Sequence, residues 1–468
     1  MQIENHNILA SDKVGRLLMT LTIPMFLGMA VQAIYNVVDT IFVGKFVTNP
    51  EMAMAGLSIS FPFQMLTMGV GQMVGLGGAS LISRMIGRQD KQGAEHTLGN
   101  GITFGVALSL LLAAIFLPFM DFWMRLIGAS DEVLPFARDY LTIMLAGAGF
   151  NVMSNALIGF VRAEGNARVA MTAMIVASGL AIFLDWIFIV VLKMGIKGAA
   201  LSTVISMGAS TGYVLIYYIS GSAYLKLHTR NLIPNFRILK EIFVIGIASF
   251  VQTTAGSLSA MMIMRSAVSY GGDIAIAAFL IIQRVMWFSM MPSMVIGQGM
   301  QPILGYNYGG RRYHLVNKTI ILASAIAIGV GIVGFFVLYF FPQPIFRIFT
   351  DDEVLIAKAA YIAKQVFLVL PIFGFYNVGS MVFPSVGKAL QTFIVAIARP
   401  VAFMIPLLLI LPRFLGERGV WFSFPGSDLL TFLLVLGLLI PMVRQFKKAG
   451  AAPAMPVPGI PPVGHGVG

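Results

Sequence analysis

The sequence predicts an all-α membrane protein with twelve transmembrane helices, arranged as two six-helix lobes related by a pseudo-two-fold axis along the membrane normal. Three observations carry this. The 468-residue chain is 58% hydrophobic and only 11% charged, with a mean hydropathy of +0.88, whereas a soluble chain carries about 25% charged residues. Apolar runs long enough to cross a hydrocarbon core, about 20 residues each, recur twelve times. The second half also repeats the first at a fixed offset.

Spans are expected near 15–45, 52–83, 98–120, 136–160, 169–192, 197–220, 240–268, 275–301, 319–341, 358–384, 391–412 and 427–444. The N-terminal MQIENHNILASDKVGR holds Glu4 and Asp12 and no short apolar core before a small-residue cleavage site, so the first span is expected to be retained. The formal charge of +12 does not point to nucleic acid, because the basic residues fall in short connections and form no single face. Alternate connections collect Lys13 and Arg16, then Arg84, Arg88 and Lys91, then Arg162 and Arg168, then Lys226 to Lys240, then Arg311, Arg312 and Lys318, then Lys388, then Arg444 to Lys448. The other connections mix signs, so both termini are expected to be cytoplasmic in a multi-pass protein of the cell (plasma or inner) membrane.

The repeat appears when the sequence is slid against itself by 222 positions. Gly75 then meets Gly297, Gly77 meets Gly299, Gly87 meets Gly309, Arg125 meets Arg347, Asn155 meets Asn377 and Gly165 meets Gly387. An offset of 221 brings GIKG at Gly195 onto GERG at Gly416. The expected lobes are 1–230 and 231–446, with the stretch from Ser220 to Lys240 as a cytoplasmic linker. Each lobe has an even number of spans, so the two share one orientation, an arrangement secondary transporters use. The tail from 447 to 468, rich in Pro, Gly and Ala, is expected to be disordered or extended.

Enzyme chemistry finds little support. There is no cysteine, so disulfides, thiolate metal sites and thiol nucleophiles are excluded. All five histidines (His6, His96, His228, His314, His465) fall in loops or tails, leaving no general base or metal ligand within a span. GVGIVG at Gly329 and GASTG at Gly208 fit a dinucleotide fingerprint and a nucleophile elbow, but each lies inside an apolar span and not on the strand-turn-helix unit those mechanisms need. GQMVG at Gly71 and GITFG at Gly101 have the spacing by which membrane helices pack closely. No metal and no organic cofactor are expected.

The functional signal is acid inside the membrane. Asp39 is the only charge between Arg16 and Lys45 and has polar neighbours Gln32, Tyr35 and Asn36, while Pro24 offers a hinge in the same span. A carboxylate there costs several kcal/mol (roughly 2.5 to 3.5 on insertion scales), so it faces a bundle interior or wet cavity and marks function. Asp185 is the second such acid, with no basic residue in its span. The middles of spans seven to twelve are expected to hold none, with Glu241, Glu353 and Asp428 at helix ends. Coupling chemistry is therefore expected in the amino-terminal lobe. Thirty methionines, Met65 and Met68 among them, suit an adaptable binding surface or plain core filling. Together with Gln252, Gln283 and Asn377 they complete the candidate cavity lining.

The order Pro24, Gly28, Tyr35, Asp39, Gly44, then Arg84 to Asp90 as RxxGxxD, then Asn155, then Glu164-Gly165, then Asp185 resembles the multidrug and toxic compound extrusion (MATE) family over nearly all of residues 10–446. The resemblance implies two lobes around a V-shaped cavity and export of cationic or amphiphilic drugs in exchange for protons or sodium. It implies Asp39 as the coupling acid, with Tyr35, Asn155, Asp185 and Thr203 around it and Pro24 as the bend. Ala181 stands where some relatives have a polar ligand, and spans seven and ten lack the acids of the sodium-coupled branch. The expected function is therefore a secondary active antiporter of small organic cations, acting as a monomer in the bilayer with a proton or sodium as coupling ion. The alternative is a flippase for a lipid-linked saccharide, for which only Arg265, Arg284 and Arg399 could meet a pyrophosphate.

Overall fold

The computed structural model describes residues 9, 11–47 and 49–450, and no strand occurs among them. We number the spans α1 (Val14–Phe46), α2 (Pro50–Gly87), α3 (Lys91–Phe116), α4 (Leu134–Ala146 and Ala148–Ala163, bent by 53°), α5 (Ala167–Asp185, continuing as a π-helix over Trp186–Val191) and α6 (Ile196–Ile219). A single helix is assigned over Phe236–Gly309, 74 residues. At 1.5 Å per residue it would be about 110 Å long, several times the roughly 30 Å core of a bilayer. It is two spans, α7 (236–271) and α8 (273–309), broken at Gly272, where φ is 68° and ψ −170°, a conformation essentially restricted to glycine. There follow α9 (Tyr313–Phe340), α10 (Glu353–Val366 and Leu370–Ser385, bent by 54°), α11 (Ala389–Ile397, a π-helix over Ala398–Met404, then Ile405–Leu415) and α12 (Glu417–Gly450). Nine helices pass as spans, the two bent pairs each add one, and the broken helix counts twice, giving twelve among the described residues.

Short polar caps start several helices where the sequence turns from loop to apolar. Asp90 accepts from Gly93 N at 2.8 Å, Asn166 from Val169 N at 3.2 Å and Asp352 from Val354 N at 2.9 Å. The last span begins at Glu417, well before the expected 427, because Trp421 and Phe424 bury against Phe279 of α8. That packing holds Pro425 and Gly426 inside a helix. The same span runs to Gly450, four residues into the stretch expected to be irregular; the tail from 451 to 468 lies outside the described residues.

The duplication persists in the backbone. Gln89 and Arg311, 222 positions apart, are both left-handed at φ 63° and 57°, as are Gly165 and Gly387 at 87° and 78°. Arg125 pairs with Asp131 at 2.7 Å and Arg347 with Glu353 at 2.8 Å, again 222 apart at both ends. The linker is strapped to α3: the Asn100 amide donates to Asn231 O and Ile233 O at 3.1 and 3.2 Å, and Glu95 accepts from Lys226 N at 3.1 Å. Beside it Glu164, in the turn after α4, faces the Tyr218 hydroxyl and the Leu225 amide, and burial pushes its carboxyl up to about 8.

Small residues set the helix spacing, as their pattern implied. Gly71 and Gly75 of α2 press on Asn155 and Ala156 of α4, Gly101 of α3 on Phe160, and Gly331 of α9 on Pro371 of α10. The two halves close on each other at the ends of α2 and α8 that carry the basic residues. A Cβ on Gly87 would strike the Tyr306 carbonyl, and one on Gly309 would strike the Arg84 carbonyl, the same contact under the 222-residue repeat. Around it Arg84 meets Glu241 at 2.9 Å, Ser80 donates to Pro384 O, and Arg162 donates to Gln298 Oε1.

Candidate functional site

Tyr35 and Asp39 stand one turn apart on α1, so their side chains share a face. Gly28 lets that face approach α5, since a Cβ there would sit 3.4 Å from Met171 Cα. Asp185 is fully buried at the last α-helical position of α5. The π-helix starts at the next residue, and such widened turns recur at functional sites. Asp39 and Asp185 come within hydrogen-bonding reach of each other. Ser202 of α6 donates to Asp185 Oδ1, and the Tyr35 hydroxyl meets Thr203 Oγ1 at 3.1 Å. Tyr140 of α4 lies close to both acids.

The pair is short of donors. Among the described residues, Asp39 Oδ1 and Asp185 Oδ2 are buried without a hydrogen bond and no Lys or Arg forms an ion pair with either acid. Two facing carboxylates in a dry site repel, so the arrangement calls for a shared proton or for a cation between them. A cavity of about 290 Å³ opens at the same end of α1, but Lys45 and Lys193 in its wall suit it poorly to a cation. No cluster of three or more metal-binding side chains occurs among the described residues.

Of the residues singled out in the sequence, the structure brings Tyr35, Asp39, Asp185 and Thr203 together. Asn155 spends its amide on Asn151, at 2.9 Å to the carbonyl and 3.2 Å to the side chain, and backs onto Gly71. Gln32 and Asn36 on α1, Gln252 on α7 and Gln283 on α8 are exposed, while Met65 and Met68 on α2 are partly buried. Asn377 of α10 buries its side-chain oxygen near Gly297, without a donor among the described residues. The helix continues on both sides of Pro24, whose nitrogen has no hydrogen to donate to the Thr20 carbonyl, so α1 carries the proline and its missing hydrogen bond within a continuous helix here. Tyr140 and Ser202 were missed. Neither had a distinctive signal: Ser202 shares α6 with Thr203, Ser206, Ser210 and Thr211, and Tyr140 sits on the first leg of a bent span.

The carboxy-terminal half corrects one expectation outright. Asp428 is not at a helix end but eleven residues into α12 and buried. Arg399 Nε of α11 meets Asp428 Oδ1 at 2.6 Å, and the Tyr376 hydroxyl of α10 donates to the same oxygen at 3.1 Å. The misplacement follows from starting the last span too late. Breaking a buried pair by removing one partner costs about 3 to 5 kcal/mol, less where a guanidinium is partly exposed, as at Arg399. Asp428→Asn is therefore not the silent change that a helix-end position implied.

The chain resembles known proteins along nearly its whole length. It is 29% identical to the multidrug export protein MepA of Staphylococcus aureus strain N315 over 435 residues, 92% of this chain and 94% of that protein. It superposes on a multidrug resistance MATE family transporter of the MOP superfamily in an outward-facing conformation, with a TM-score of 0.89 and 26% identity, covering 96% of this chain and all of that one. A MATE structure in a straight conformation gives a TM-score of 0.90 at the same identity and coverage. The MatE family profile matches twice, over residues 24–187 and 248–410, once in each half. With its twelve helices, its duplicated halves and this double match, the chain belongs to the MatE (MATE) family of membrane transporters and is not an enzyme.

Proposed function

We propose that this transporter exports hydrophobic organic cations in exchange for protons, with Asp39 as the proton switch and Asp185 as its partner. The observation that carries the reading is a carboxylate pair inside the membrane with no basic partner among the described residues. It can hold one proton or one cation, and competition between the two is antiport. Protonation removes the charge penalty for packing α1 against α5, and Pro24 gives α1 a place to bend, so charge state and helix shape become linked. The basic connections put both termini in the cytoplasm of a cell with this protein in its plasma or inner membrane. The closed end is then the cytoplasmic one, and the cavity opens outward. The chain acts as a monomer, since both halves of the site-bearing fold lie within it. The saccharide-flippase reading has no comparable support: Arg265 and Arg284 are exposed, and Arg399 is neutralised by Asp428.

The test is drug resistance in a host lacking its own exporters. Expression is expected to protect against hydrophobic monocations such as ethidium and tetraphenylphosphonium, which regain lost hydration from acids and ring faces. Protection confined to anionic compounds would contradict the reading.

A further inference from the structure

The two lobes treat their buried acids differently. In the amino-terminal lobe Asp185 accepts from the Ser202 hydroxyl and has no basic partner among the described residues, whereas in the carboxy-terminal lobe Asp428 is held by a guanidinium. Both sites adjoin a π-helix: Asp185 immediately precedes Trp186–Val191, and Arg399 lies within Ala398–Met404. Arg399 is eleven residues past Lys388 and Asp428 eleven past Glu417, so each is about 16 Å along its helix, near the bilayer centre. At that depth the 28% exposure of the Arg399 side chain faces a wet cavity and not lipid, because a guanidinium among acyl chains is too costly. The fork is also only half used. Nε holds Asp428, Phe373 flanks the guanidinium at 6.0 Å, and Nη2 is buried without an acceptor among the described residues.

We propose that Arg399 is a specificity residue: it acts as a tethered cation occupying Asp428, and so restricts the transporter to substrates with one positive charge. The inference rests on the organic-cation export proposed above. With Asp428 neutralised from within, the cavity offers one unpaired acidic site, the Asp39–Asp185 pair, and one unpaired positive charge is what that site accommodates. Removing the guanidinium frees Asp428 as a second acid, in the opposite lobe, for the second charge of a dication.

The experiment compares export of tetraphenylphosphonium, with one fixed charge, and decamethonium, with two, by the full chain in proteoliposomes. Arg399→Gln is expected to raise the decamethonium to tetraphenylphosphonium rate ratio about tenfold, within the range of site couplings in proteins. Arg399→Lys, which keeps the charge but loses the Nε donor, is expected to raise it less, and stands in should the glutamine variant not fold. Adding Asp428→Asn to Arg399→Gln is expected to return the ratio to that of the wild type, since both charges are then gone. An unchanged ratio in folded Arg399→Gln and Arg399→Lys, or a rise that survives in the double variant, would overturn the proposal. A wild type that exports neither probe would overturn the export reading and this proposal with it, whereas export of the monocation with no change in ratio would overturn this proposal alone.

Discussion

Asp39→Asn is expected to fold, insert and still bind a hydrophobic cation weakly, yet to lose proton-driven exchange down to the level of protein-free vesicles. The amide matches the protonated carboxyl in shape but cannot ionise, so the site is fixed in one of the two states that antiport must alternate between. The loss should show as absent substrate-induced proton release from the purified protein, with the elution profile unchanged. Asp185→Asn leaves Asp39 able to titrate and keeps an amide oxygen to accept from the Ser202 hydroxyl, but removes the acidic neighbour of Asp39. Exchange is then expected to weaken by about tenfold, the factor that one pKa unit of coupling represents. Equal effects from the two substitutions would mean the acids act as a unit and not as a switch with a partner.

Gly87→Val is expected to disable transport through a different route. The new side chain would meet the Tyr306 carbonyl, a backbone atom that cannot swing aside, and its repeat mate Gly309→Val would meet the Arg84 carbonyl. Overpacking of this kind costs about 1 to 3 kcal/mol. Because the cost falls only on the conformation closed at this end, it shifts the balance of open to closed forms by roughly 5- to 150-fold. The absence of native cysteine allows a clean label pair, Gln92→Cys with His314→Cys, on exposed positions of the two halves near the closed end. Electron-spin distances between the labels are expected to lengthen in either glycine variant. Gly329→Val, which meets nothing within 4 Å, is the control. An unchanged distance distribution in Gly87→Val would show that the closed end does not depend on this contact.

Much of the fold was legible because a membrane imposes strong rules on sequence. Span number followed from apolar length, and the lobes followed from a repeat that the structure shows again in left-handed turns and matched ion pairs. The gap expected between spans seven and eight, 269–274, contains the break at Gly272, but only the structure shows that helix runs up to that break from both sides. The span that failed was α12, where Pro425 and Gly426 read as a loop and aromatic packing around Trp421 overrode them. That one boundary hid Asp428 and with it the carboxy-terminal charge cluster. In the amino-terminal site the two acids announced themselves, since an unpaired carboxylate in an apolar run has few bland explanations. Their hydroxyl partners did not, because serine, threonine and tyrosine occur throughout these spans, and only the packing of α1, α4, α5 and α6 selects Tyr140 and Ser202.

The central claim, that a proton competing with an organic cation at Asp39 and Asp185 drives export, is tested most directly by proteoliposomes in which proton and sodium gradients are imposed one at a time. Movement of tetraphenylphosphonium is expected to follow the pH gradient in sodium-free buffer and to stop when that gradient is collapsed. Movement that follows the sodium gradient alone, at uniform pH, would contradict the account.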